Sequence, residues 1–214
     1  MITSRKRIVA PTEPVVTLAQ MQQHLRLDLD GSPPVHPEDD LVEAYTASVV
    51  AELDAGDSWF GRALAPQQWR ITLRCFPEAS QRNPDAAILL PYPPLISVDA
   101  VTYLDADGDT QTMVAGTDYE ASVDGDPFGF IVPILDGDWP TDVAERWNAI
   151  TITFTCGYGT GSPIAEVVPE TIKQYIRMVA GSMYEQREAD VIGVMQSAMH
   201  QFRNVINQHR VWGP

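Results

Sequence analysis

Residues 103–113, YLDADGDTQTM, set Asp105, Asp107 and Asp109 at alternate positions around Gly108. Carboxylates so spaced are the donor chemistry of a calcium loop, in which hard oxygens surround a hard cation. The register decides against it. If Gly108 is the sixth residue of such a loop, its first ligand falls on Tyr103 and its closing bidentate acid on Val114. The flanks, VDAVTYLD and TQTMV, are β-branched and aromatic, and Asp-Gly between such runs is a strong hairpin signal. A turn between two strands is therefore expected, with no metal.

Other residues capable of chemistry are scattered. His24, His36, His200 and His209 include no i, i+4 pair of the kind that holds zinc on a helix. The glycine-rich CGYGTGS (156–162) lacks the Gly-Lys-Ser/Thr of a phosphate loop and runs into a proline, so it reads as the exit from a strand. Cys75 and Cys156 lie in expected strands and read as buried reduced thiols, with no disulfide framework. No Gly-x-Ser-x-Gly elbow and no zincin motif occurs. The many acids fall in turns, where Asp is favoured for local hydrogen bonding. No catalytic residue, cofactor site or metal site is expected, and the chain does not read as an enzyme.

The elements that carry these residues run helices, strands, helices. Thr17 and Gln20 form a capping box ahead of Leu18, Met21, Leu25 and Leu29 at helical spacing. After the linker DGSPPVHP (30–37), Pro37 and three acids open a second helix, striped by Leu41, Tyr45, Val49 and Leu53. From Pro66 the period becomes two. QQWRITLRCF and NAITITFTC alternate cleanly; AILLPYPPLISVDAVTYL, TDYEASVD and GFIVPI lie between them, with Pro133 marking a strand end or edge. Helix returns at Pro169 with Ile172, Ile176, Val179, Ala180 and Met183 on one face, and a last helix carries Met195, Ala198, Met199, Phe202, Val205 and Ile206. The expected fold class is α+β, a small helical bundle from both chain ends with an inserted antiparallel β-module. Its expected parts are a flexible arm (1–16), helices (17–62), the β-module (66–160), C-terminal helices (168–210) and an interaction tail (210–214).

A chain of 214 residues can bury a proper core. No apolar run reaches the roughly 18–20 residues of a membrane span, and no signal peptide is visible. The net charge of −15 is concentrated: between Glu78 and Glu145 fourteen acids face one base, Arg82. Such a surface repels nucleic acid rather than binding it.

The collinear set TLAQMQQHLRLD, EDDLVEAYTASVVAELDAGDSWFGRALAPQQWRITL, LPYPPLISVDAVTYLDADG, DYEASVD, WNAITITFTCGYG, VPETIKQYIRMVAGSMYEQREADVIG and HRVW resembles the head–tail connector (adaptor) proteins of long-tailed phages, prophages and gene transfer agents. The likeness spans residues 17–212 and leaves out the arm. It implies a structural virion protein. Such proteins form a ring, commonly of twelve copies, docked beneath the portal, made in the host cytoplasm and carried at the head–tail junction. The implied partners are the portal, the next neck, stopper or tail protein, and further copies of the chain. DNA passes through the channel without specific binding, and no membrane is involved. Within that resemblance Arg210, Val211 and Trp212 are expected to project as a tip that docks on the portal. Arg5, Lys6 and Arg7 are expected to be an assembly arm that orders against an acidic neighbour. Five tryptophans and several tyrosines also fit a carbohydrate- or protein-binding β-module with helical supports, and a small hydrolase with a cryptic site is a third class.

Overall fold

Alternation along residues 67–73 and 150–156 builds the centre of the molecule. A computed structural model describes residues 2–31, 35–56, 58–123, 128–159, 167–186, 204 and 206–211. The strands are β1 (Ile2–Val9), β2 (Gln67–Leu73), β3 (Ile88–Leu89), β4 (Leu95–Leu104), β5 (Thr110–Met113), β6 (Tyr119–Ser122), β7 (Phe130–Pro133) and β8 (Ile150–Cys156). The helices are α1 (Leu18–Leu25), α2 (Asp39–Leu53) and α3 (Glu170–Glu185), with a 3-10 turn at Asn207–His209. The fold is α+β. One five-stranded sheet has the order β1-β2-β8-β4-β5 and a three-stranded sheet the order β3-β7-β6; every pairing is antiparallel.

Period two places Trp69, Ile71 and Leu73 beside Phe154, Ile152 and Ile150 on one face of the large sheet. That face is buried in a core shared with Ile88, Tyr119 and Ile131 of the small sheet. Trp139 stacks on Phe76 at 4.8 Å and donates to the Ala86 carbonyl at 2.7 Å, closing one side. The opposite face carries Gln68, Arg70, Thr72, Thr151, Thr153 and Thr155, and is exposed to half-buried.

A second core joins the helices. Met21 of α1, Val42, Val49 and Leu53 of α2, and Ile172, Ile176 and Val179 of α3 meet Phe60 and Leu64 from the segment after α2. The capping box forms as expected: Thr17 Oγ1 accepts from Gln20 N at 3.2 Å, and Gln20 Oε1 from Thr17 N at 3.1 Å. In α2 the buried stripe is Val42, Thr46, Val49 and Leu53, with Leu41 and Tyr45 at its flank. Thr46 can be buried because its hydroxyl donates to the Val42 carbonyl at 2.7 Å.

Three expectations need correction. The flexible arm is a strand: Ile2–Val9 pairs with β2 and forms one edge of the large sheet. The sheet is therefore not built from the insert alone. Its side chains show no apolar period because seven of its eight residues are exposed, and backbone hydrogen bonds hold it. Farther along the same segment, Val15 and Val16 enter the helical core. Cys75 lies past the end of β2 and is exposed, whereas Cys156 is buried in β8, where desolvation pushes its thiol well up. Of the helix expected to carry Met195 to Ile206, Asn204 and Ile206 are helical, with Ile206 buried in the helical core. Met195, Ala198, Met199, Phe202 and Val205, like Thr160–Ser162, lie outside the described residues.

Around Gly108 the hairpin reading holds. Asp105 accepts from Gln111 Nε2 at 2.7 Å and from Asp109 N at 2.8 Å, which holds its carboxyl below the usual carboxylate range. Gly108 takes φ +91°, a conformation that favours glycine. These bonds occupy Asp105 in shaping the turn. Thermal unfolding in calcium and in chelator is expected to coincide, since a ligand held only by the native state raises the midpoint.

Candidate assembly interface

The two sets of residues singled out near the chain ends start far apart in sequence and meet in space. In β1, Arg5 lies opposite Ile71 and Arg7 opposite Trp69, on the core-facing side of the sheet. As edge residues they cap the core instead of entering it. The Arg5 guanidinium sits 5.8 Å from the centre of the Tyr92 ring, and that of Arg7 sits 5.9 Å from the Trp69 ring. Lys6 lies opposite Arg70 on the other face, exposed.

Arg7 also reaches Asp54 at 3.4 Å. Asp54 follows α2, its side chain is 7% exposed, and its Oδ1 accepts from Leu64 N and from Gln67 Nε2, each at 2.8 Å. Gln67 in turn accepts from Trp69 Nε1 at 3.0 Å. Burial pushes the Asp54 carboxyl above its ordinary range, with the Leu64 and Gln67 hydrogen bonds and the Arg7 charge acting in the opposite direction. The group therefore ties α2, the segment after it, β2 and β1 together at the junction of the two cores.

The C-terminal residues fold back on that segment. Val211 N donates to the Phe60 carbonyl at 3.1 Å, and Arg62 Nε donates to the His209 carbonyl. His209 also bonds Thr171 of α3 through Nε2 at 2.8 Å. Val211 is buried, so it does not project as a tip, which corrects the expectation for that residue. Arg210 lies 5.6 Å from the Trp59 ring centre. Gly61, at φ +72°, makes this docking possible, because a Cβ there would stand 2.5 Å from the Val211 carbonyl oxygen. Trp212 and His200 lie outside the described residues.

Arg5 and Arg210 thus line one pocket of about 250 Å³, with Trp59, Tyr92, Phe128 and Val211. Sequence reading found the two arginines but not their meeting, nor Tyr92 and Phe128 between them. Nothing in spacing joins a strand at one end of the chain to a turn at the other.

The remaining histidines have ordinary places: His36 Nδ1 accepts from Glu38 N at 3.1 Å, and His24 lies against Gly181 of α3. Among the described residues no group of three His, Cys, Asp or Glu is placed to hold a metal ion. Within the insert, Asp99 accepts from Gln68, Ser97 and Thr155 where β4 bulges, and Asp118 accepts from Val114 N at 2.6 Å. Those acids build turns and bulges.

In sequence, no family model matches the chain and no curated protein does. In structure, it is similar to a chain in the neck of an empty gene transfer agent (GTA) particle computed with C6 symmetry, with 19% identity and TM-score 0.73 over 99% of this chain and 97% of that one. It is also similar to a chain in the virion of a native GTA particle, with 19% identity, TM-score 0.71, and 98% and 96% covered. A chain in the neck of a native GTA particle computed with C12 symmetry gives 18%, 0.60, and 97% of both chains. From end to end, the chain has the fold of chains found in gene transfer agent particles.

Proposed function

We propose that this protein is a structural neck component of a phage-like particle, an adaptor whose copies form a ring between the portal and the next neck or tail protein. The observation that carries this reading is the likeness in fold to chains of gene transfer agent necks over nearly the whole length of both chains. Those necks were computed with C6 and C12 symmetry, and a ring of twelve copies is compatible with both. The reading places the protein in the virion at the head–tail junction after assembly in the host cytoplasm, with no enzymatic role. No helix among the described residues is long and apolar enough to cross a membrane.

Charge supports the same reading. Twelve copies of a chain at −15 give a strongly negative ring, and such a wall lets DNA pass without the phosphate contacts that would retard it.

Portal docking is assigned to the end of the chain. Val211 is anchored on Phe60, so the proposed portal contact is assigned to Trp212. Trp212→Ala is expected to weaken binding to a purified portal ring by more than about 2 kcal/mol, the scale of an interface hot spot, and to leave the unfolding midpoint unchanged. Binding equal to that of the natural chain would remove Trp212 from the interface. Failure of the natural chain itself to bind the portal would remove the adaptor reading.

A further inference from the structure

We infer that the pocket between Arg5 and Arg210 receives the acidic tip of the β4–β5 hairpin of a second copy, so that copies join head to tail. This rests on the ring reading above and names the contact that closes it.

The pocket has the chemistry to hold a carboxylate. Arg5 and Arg210 lie over Tyr92 and Trp59. The Arg5 guanidinium, 5.8 Å from the Tyr92 ring centre, carries a planar fork of N–H donors of the kind that binds carboxylates bidentately. Arg5 is exposed and makes no ion pair with any described residue. Tryptophan, tyrosine and arginine in one concave site are also the residue types that dominate interface energies.

The tip is shaped to enter such a site. Asp105 is consumed within the turn, accepting from Asp109 N and Gln111 Nε2, and Gly108 N donates to its carbonyl at 3.0 Å. The carboxylates of Asp107 and Asp109 are exposed and accept no hydrogen bond from any described residue, their backbone groups alone taking part in the turn. Apart from Gly108 itself and its two chain neighbours, no described atom lies within 4 Å of where a Gly108 Cβ would stand. The tip is therefore open and acidic, with its turn already closed by its own hydrogen bonds, which lowers the ordering cost of docking.

Position supplies the third argument. β1, with Arg5, and β5, beside the tip, are the opposite edges of one sheet. A contact between different patches on identical chains leaves one pocket and one tip unused at each step, and it propagates until the rotation closes a ring. In a chain at −15, copies repel except where a basic patch meets an acidic one, which fixes the register of association.

The test uses the full chain in sedimentation at increasing concentration and, in parallel, retention on the portal ring. Arg5→Glu and the pair Asp107→Arg with Asp109→Arg alter exposed side chains, and unfolding curves check that both variants remain folded. Each alone is expected to weaken association between copies by about ten-fold or more. Mixed, the two variants are expected to associate, because the intact tip of the first fits the intact pocket of the second. Association of either variant at the natural strength, or a mixture no stronger than its components, overturns this contact and leaves the ring reading standing. A natural chain that gathers neither with itself nor on the portal overturns both.

Discussion

Replacing Asp54 with alanine is expected to lower the free energy of unfolding by about 2–3 kcal/mol, since it takes the shared acceptor from two buried donors, and a buried donor left short costs about 1–3 kcal/mol. Those donors are Leu64 N and Gln67 Nε2, both held by Asp54 Oδ1, and Gln67 Nε2 also reaches the Ala65 carbonyl at 3.3 Å. Asp54→Asn keeps an oxygen for Leu64 N and Gln67 Nε2 but puts an amide NH2 where Oδ2 accepts from Arg7, so it loses the charge and that 3.4 Å contact to a side chain 46% exposed. That variant is expected to cost about 1 kcal/mol or less. Denaturant unfolding of the two variants at neutral pH separates the hydrogen bonds from the ion pair. The pH dependence follows from the raised carboxyl. Between the ordinary value of 3.8 and the higher folded value, the folded chain holds the Asp54 proton more tightly than the unfolded chain does. Through that window this group makes stability fall as pH rises, and its burden is fully present above the folded value. Asp54→Asn is expected to abolish that component, so the gap between natural chain and variant changes across the window and is constant above it.

Gly157→Ala is expected to cost a similar amount, about 3 kcal/mol, from a strained backbone combined with an overpacked site. Gly157 leaves β8 at φ +132° and donates to the Pro94 carbonyl at 2.8 Å. A Cβ there would stand 2.4 Å from the Ala65 carbonyl oxygen and 2.7 Å from Pro66 N. Both neighbours are backbone and cannot rotate away. The damage falls on the junction where residues 64–66 pass from the helical core to β2, and Tyr158 N–Leu64 O at 3.4 Å is the adjacent link. Calorimetric unfolding reads the loss as a fall in midpoint.

What the sequence disclosed follows from what carries each element. β2 and β8 are central strands with one buried face, so their alternation is explicit in residue type. The capping box of α1 is a local pattern of two side chains and needs no tertiary information. The apolar face of α3 is equally plain, since Ile172, Ile176 and Val179 are all buried at helical spacing. β1 was illegible for the opposite reason. An edge strand is held by main-chain hydrogen bonds that every residue type can make, and its charged side chains resemble those of a solvated tail. The interface was half legible. The arginines stood out in an acidic chain, but the pocket is made by long-range packing that brings Tyr92 and Phe128 between them. Val211 was misjudged because its partner, the Phe60 carbonyl, is a backbone group with no sequence signature. The acidity of the insert has a mixed origin: the carboxylates of Asp99, Asp105 and Asp118 hold bulges and turns together, whereas those of Asp107 and Asp109 face solvent.

The central claim, that this chain is a ring-forming adaptor of a particle neck, is tested most directly by the mass of the complex formed when the full chain is mixed with its purified portal ring. Native mass measurement is expected to give one saturating species with about twelve copies per portal, the number compatible with the symmetry of similar necks. Binding of one or two copies without a saturating ring, or no complex at all, would contradict it.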